Sequence, residues 1–107
     1  MKTIGYLGPR GTFAEAALNL LEYAKEVEQI PMSSVTTALD AVRKGEISAA
    51  LVPLENSVEG SVSQTLDELA IGEPLVIVDE VALQVKFSLM VRPGIKLEDV
   101  RTIATHP

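Results

Sequence analysis

The sequence has no cysteine and no tryptophan, a single histidine, and aromatic residues at only 4% of its 107 positions. Without thiols it can build neither a disulfide framework nor a thiolate zinc site, and one histidine excludes a multi-histidine metal centre. Basic residues are also scarce. Nine Lys and Arg stand against 15 Asp and Glu, giving a formal net charge of -6. The few cations are scattered, which argues against a nucleic-acid partner, because neutralising phosphates takes a clustered basic surface. No apolar run approaches membrane-spanning length, so no membrane association is expected. The opening Met1 to Gly8 stretch is too short for a signal-peptide core and reads as a first strand, in keeping with a cytoplasmic protein.

What the chain does have is aliphatic side chains. Hydrophobic residues make up 47% of it. With so few aromatics the core is built from Val, Leu, Ile and Ala, a composition suited to α/β layers. The length fits one ordinary domain or one lobe of a larger one.

The periodicity predicts alternating strands and helices. A strand over Thr3 to Leu7 leads through Gly8, Pro9, Arg10 and Gly11 to Thr12, with Glu15 three residues later at capping-box spacing. Phe13, Ala16, Ala17, Leu20, Leu21 and Ala24 recur as one helical face, which extends the first helix to about Ala24 or Lys25. A short strand over residues 27–32 follows. Ser34 is a candidate N-cap for a helix that buries Val35, Ala38, Leu39 and Val42 and stops at Gly45. Ala49 to Val52 is an unbroken apolar run, the pattern of a strand covered on both faces. After a third helix, Gly72 and Pro74 mark a break before a fourth apolar strand over residues 75–78. The order βαβαβαβ favours a parallel sheet. From Val81 to Val91 the odd positions are apolar, which predicts a half-exposed strand, and residues 97–100 can make one helical turn.

The polar loop after the third strand is the most informative stretch. Ser61 stands three residues before Gln64, and Val62, Leu66 and Leu69 share one helical face, so a helix is expected to begin after Ser61. That leaves Glu55, Asn56, Ser57 and Glu59 in the connection itself, at the carboxyl end of a buried strand, where open α/β sheets bind ligands. A dinucleotide site is a poor alternative, since Gly5, Gly8 and Gly11 lie at intervals of three and not in the GxGxxG arrangement.

Two loops therefore follow buried strands: Gly8-Pro9-Arg10-Gly11-Thr12-Phe13-Ala14-Glu15-Ala16-Ala17, and Val52 to Asp67 with Glu55-Asn56-Ser57-Val58-Glu59-Gly60 at its centre. Together they resemble the GPxGTFSExA and VPxENSxEGxVxxTLD motifs of prephenate dehydratases. Ala14 stands where that family usually has Ser, and the second motif matches throughout. The resemblance covers essentially the whole chain, with His106-Pro107 similar to the start of the family's His-Pro-Gln element. The family's Thr-Arg-Phe motif, held to carry the catalytic residue, falls beyond Pro107, as does its phenylalanine-sensing domain.

The resemblance implies a three-layer α/β lobe with a mostly parallel sheet, similar to one lobe of a type 2 periplasmic-binding-protein-like fold. Residues 1–80 would form the first lobe, and 81–107 the crossing strand and the start of the second. It implies dehydration of prephenate to phenylpyruvate with loss of carbon dioxide, no cofactor, and a homo-oligomer. The substrate-binding residues it marks are Gly11, Thr12, Phe13, Asn56 and Ser57, with no catalytic residue assigned in this chain. The residue chemistry is compatible with that: the Thr12 and Ser57 hydroxyls and the Asn56 amide can donate hydrogen bonds to carboxylates. Glu55 and Glu59, if ionised and facing a dicarboxylate, would repel it, which favours structural roles for both. Arg10 is a surface cation at a variable position, and His106 sits beside the chain end; neither is assigned a role. The alternative is a non-catalytic, self-associating lobe that binds a small carboxylate.

Overall fold

The computed structural model describes residues 2–56 and 60–105. Strand β1 (Thr3–Leu7) leads to helix α1 (Phe13–Leu18), a 3-10 turn (Glu22–Glu26), strand β2 (Glu28–Met32), helix α2 (Val35–Arg43) and strand β3 (Ala49–Leu51). A short hairpin, β4 (Glu55–Asn56) and β5 (Gly60–Ser61), precedes helix α3 (Ser63–Ile71). β1 lies at the centre of a parallel sheet ordered β2-β1-β3. The expected α/β class with a parallel sheet is therefore observed.

Strand alternation sends successive β1 side chains to opposite faces. Ile4 and Tyr6 point to one side, where they cluster with Leu18 and Ala24 and with half-buried Ala14, Leu21, Val27, Ala49 and Leu51. Gly5 faces the other side. A Cβ there would come 2.7 Å from Ile47 Cδ1 and 3.0 Å from Met32 Cγ, so this layer closes tightly over the sheet. Val35, Ala38, Leu39 and Ala41 of α2 are buried, and α3 packs along α2. The result is three layers.

Helix boundaries differ from the periodicity in instructive ways. α1 ends at Leu18, well short of Ala24. The Leu20 and Leu21 amides reach back only three residues, to Ala17 and Leu18 carbonyls at 3.1 Å each, so the chain tightens into 3-10 geometry. Ala14, Leu18, Leu21 and Ala24 face inward, and Leu20 and Phe13 of the expected face are exposed. Asn19 at the break accepts a hydrogen bond from Gln29 Nε2 at 2.9 Å, which ties the end of α1 to β2. The Ser34 cap forms as expected, receiving Thr37 N-H at 3.0 Å, and Gly45 ends α2 at φ +76°. Ala41 is buried in place of the expected Val42.

The N-cap position of α3 falls on Val62 and not on Ser61. Ser61 backbone pairs with Glu55 in the hairpin, α3 starts one residue later behind Val62, and Gln64 Nε2 donates to Thr36 Oγ1 at 3.2 Å instead of reaching back. Residues 75–78 and 81–91 form neither helix nor strand, and among the described residues the sheet has no fourth member. A strand is defined by its ladder, and no described segment pairs with either stretch. Beyond Ile71 a single 3-10 turn (Leu97–Asp99) is the regular structure among the described residues.

Candidate active-site edge

Three parallel strands end at one edge of the sheet, so the connections that follow them gather there. Residues 8–12 follow β1, Ser33 and Ser34 follow β2, and the segment leading into the β4–β5 hairpin follows β3. Both family-like loops thus share an edge because their strands, β1 and β3, are neighbours in register from Ile4–Ala49 to Tyr6–Leu51. A shallow depression at this edge is lined by Gly8, Pro9, Pro31, Met32 and Ser33.

The first loop is held at both ends. Gly8 N-H donates to the Met32 carbonyl at 2.9 Å, and a Cβ on Gly8 would fall 2.8 Å from Pro31 Cβ, so only glycine lets the loop lie against the end of β2. The Gly8–Pro9 peptide is cis. Gly11 has φ +83° with open space above its Cα, a backbone that other residues adopt with strain. Its amide donates to Glu15 Oε1 at 3.0 Å, and Tyr6 Oη donates to Glu15 Oε2 at 3.0 Å. These two donors, with Arg10 nearby, hold the Glu15 carboxyl below its ordinary range; the Gly11 N-H is the largest influence. Burial and the adjacent carboxylate push the Tyr6 phenol up.

Thr12 is the N-cap of α1. Its Oγ1 accepts Glu15 N-H and donates to the Leu7 carbonyl, both at 3.4 Å. The hydroxyl proton therefore has a long, weak internal acceptor, which a carboxylate could replace. Phe13 is half exposed beside it. Its ring meets Phe87 edge-on, with centroids 6.4 Å apart and planes at 88°.

The polar loop after β3 carries a short antiparallel ladder. Glu55 pairs with Ser61 and Asn56 with Gly60, and Val62 N-H closes onto the Leu54 carbonyl at 2.8 Å. The backbone puts Asn56 at the end of β4, and Glu55 is exposed. Ser57 and Glu59 lie outside the described residues, as does His106. Thr65, 1% exposed, donates to the Pro53 carbonyl at 2.6 Å and pins α3 to the chain leaving β3. The structure thus joins Gly11, Thr12 and Phe13 at the entry to α1 and sets Asn56 in the hairpin that follows β3.

Sequence reasoning missed Tyr6, Thr65 and Arg43, and it read Glu15 only as a capping partner. In a capping box Glu15 would return to the cap residue's own N-H; here it reaches Gly11, one residue earlier. The signal available was a tyrosine inside an otherwise aliphatic strand, nine residues before a glutamate.

The chain matches the family model described as prephenate dehydratase over residues 4–107. The chain belongs to the prephenate dehydratase family. The prephenate dehydratase of Mycobacterium marinum is 48% identical over 115 residues, covering 100% of this chain and 36% of that protein. The Amycolatopsis methanolica prephenate dehydratase is 49% identical over 107 residues, again with 100% of this chain and 34% of the relative. Among solved structures, the Arthrobacter aurescens prephenate dehydratase in complex with L-Phe superposes with TM-score 0.79 at 49% identity, covering 91% of this chain and 32% of that one. The Streptococcus mutans prephenate dehydratase gives TM-score 0.62 at 33% identity, over 68% and 37%. The fold is therefore that of the periplasmic-binding-protein-like prephenate dehydratases, of which this chain spans about a third of the length.

A second, larger depression lies at the opposite end of the lobe, where α2 and α3 finish; it is lined by Asp40, Arg43, Asp67, Glu68 and Glu73 among others. Arg43 fills its chemistry. The guanidinium pairs with Asp40 Oδ1 at 2.9 Å and Glu68 Oε1 at 2.8 Å, and it donates to the Glu68 and Glu73 carbonyls at 2.9 and 3.1 Å. It thereby satisfies carbonyls at the carboxyl end of α3 and locks that helix to α2. This cation ties α2 to α3, and the motif loops after β1 and β3 lie at the other edge of the sheet. Among the described residues no cluster of His, Asp or Glu suits a metal ion, and no helix is long and apolar enough to cross a membrane.

Proposed function

We propose that this chain supplies one wall of a prephenate dehydratase active site, with Gly11, Thr12, Phe13, Asn56 and Ser57 contacting substrate. The observation that carries the proposal is the placement of both family motifs on adjacent strands' connections at one carboxyl edge. In the reaction the ring carboxylate leaves as carbon dioxide. The electron pair of that carbon–carbon bond enters the ring, and the ring hydroxyl departs with a proton as water. Aromatisation supplies the driving force. The wall's task is to orient two carboxylates and exclude misaligned conformers. Thr12 would exchange its weak bond to the Leu7 carbonyl for a substrate carboxylate, Asn56 and Ser57 would add donors, and Phe13 would offer a flat apolar face to the ring. Open space over Gly11 allows close approach.

Residues 1–80 act as the first lobe in this reading, and 81–107 cross toward the second. The proposed setting is a cytoplasmic homo-oligomer that needs no cofactor. The exposed apolar side chains of Val76, Ile77, Val78 and Met90 argue for coverage by further protein surface.

The test is a chimera in which residues 1–107 replace the matching third of the Arthrobacter aurescens enzyme. It should form phenylpyruvate above the spontaneous breakdown of prephenate. Thr12→Val and Asn56→Ala should each lower kcat/KM about tenfold, the worth of one directed hydrogen bond. A folded chimera no faster than the spontaneous reaction would overturn the proposal.

A further inference from the structure

A tyrosine on a central strand normally sends its ring into the core and its hydroxyl to the nearest partner. Tyr6 does so in a particular direction. Its ring is fully buried among Ile4, Leu18 and Ala24, and its hydroxyl reaches Glu15 Oε2 at 3.0 Å. The other oxygen of that carboxylate receives the amide of Gly11, also at 3.0 Å. The backbone of Glu15 closes the circuit, since its N-H binds Thr12 Oγ1. A rigid core residue, a helix residue and a loop glycine at φ +83° are thus joined through one carboxylate.

We infer that Tyr6 and Glu15 are positioning residues that fix the residue 8–12 loop, holding the Gly11 backbone and the Thr12 hydroxyl in the arrangement presented at the carboxyl edge. This rests on the proposed function only for what the loop presents itself to. The latch itself is a property of the fold. The physical case is that each contact restricts a different freedom. The Gly11 bond removes the rotational freedom that glycine otherwise keeps, and the Tyr6 bond fixes the carboxylate's position relative to the sheet. An ionised carboxylate makes both bonds charge-assisted, the stronger class. Gly11 N-H is consequently committed inside the loop, so the loop meets a ligand through its open Cα face and through Thr12.

Glu15 is faced by Tyr6 from β1, by Gly11 and by Arg10 of the loop. Proton resonance of the Gly11 amide in the isotopically labelled chain reads the latch directly. As pH falls, that resonance should move with Glu15 protonation, at a midpoint below the ordinary 4.5 of a glutamate. Tyr6→Phe keeps the ring and removes one donor, so the midpoint should rise while the amides of β1, β2 and β3 stay in place. Glu15→Gln should abolish the titration and broaden Gly11 and Thr12. A Gly11 resonance that ignores pH, or one whose midpoint is the same in Tyr6→Phe, overturns the inference. A residue that merely packs the core would not move that midpoint.

Adding prephenate to the same samples separates the two claims. Affinity about tenfold weaker in Tyr6→Phe supports positioning of the substrate loop. Equal binding by wild type and Tyr6→Phe contradicts it. If wild type gives no response to prephenate but the Gly11 titration behaves as stated, the substrate reading fails and the latch stands.

Discussion

Residues 2–71 and 72–105 contain the same kinds of apolar side chain and fold to different extents. In the first region every strand of the parallel sheet has a neighbour, and Tyr6, Leu18 and Ala24 are fully buried. In the second, Phe87 is 89% exposed and Met90 86% exposed. The radius of gyration, 16.9 Å, exceeds the roughly 13 Å expected of a compact chain of this length, and the long axis reaches 53 Å. An alternating pattern prepares a segment to be a strand, but only a ladder partner makes it one. Side-chain contacts that hold the second region to the first include Tyr23 Oη to Asp79 Oδ2 at 2.8 Å, Arg43 Nε to the Glu73 carbonyl at 3.1 Å, and the Phe13–Phe87 ring pair.

The two regions should differ most in what a core truncation costs. Leu18→Ala should destabilise the chain by about 2–5 kcal/mol in chemical denaturation, as for other fully buried leucines. Leu89→Ala, the same chemical change in the second region, should stay within about 0.5 kcal/mol. Similar costs for both would mean that residues 72–105 belong to the same cooperative unit. Next in size is Gly72→Ala. A Cβ there would collide with the Arg43 guanidinium and lie 2.8 Å from the Glu68 carbonyl, so forcing the α2–α3 lock apart should cost about 1–3 kcal/mol.

A smaller effect follows from Glu15 and Tyr6. Because the folded state holds the Glu15 carboxyl below 4.5, its contribution is present above that pH and is lost as pH falls through the depressed value. Tyr6 has the opposite sign. Its raised phenol contributes fully below 10.0 and loses that contribution as pH rises through the folded value. Tyr6→Phe should flatten both limbs of the stability–pH profile, and Leu89→Ala should leave them unchanged. Smallest of all, Tyr23→Phe should alter global stability by less than about 0.5 kcal/mol, yet speed proteolytic cleavage near Asp79 by releasing that anchor.

These contrasts also mark what the sequence disclosed. The parallel sheet was legible because Thr3–Leu7 and Ala49–Leu51 are short aliphatic runs joined by segments with helical periodicity. The Ser34 cap and the Gly45 stop were legible because capping chemistry is local. The early end of α1 was not, since Asn19 finds its partner on β2 and the inward phase is set by a 3-10 turn. Ser61 misled for a related reason: its backbone is committed to the hairpin with Glu55. At the candidate site, the motif residues were visible and their supports were hidden. Tyr6–Glu15, Thr65–Pro53 and Arg43–Glu68 each join residues that local spacing does not link.

The carboxyl edge, and not the Arg43 end, is the proposed contact surface for prephenate. Titrating the isotopically labelled chain with prephenate and following every amide tests it most directly. Shifts should concentrate at residues 11–13 and 55–61, with Asp40, Arg43, Glu68 and Glu73 unmoved. Shifts centred on Arg43 and the ends of α2 and α3, with the two loops silent, would contradict it.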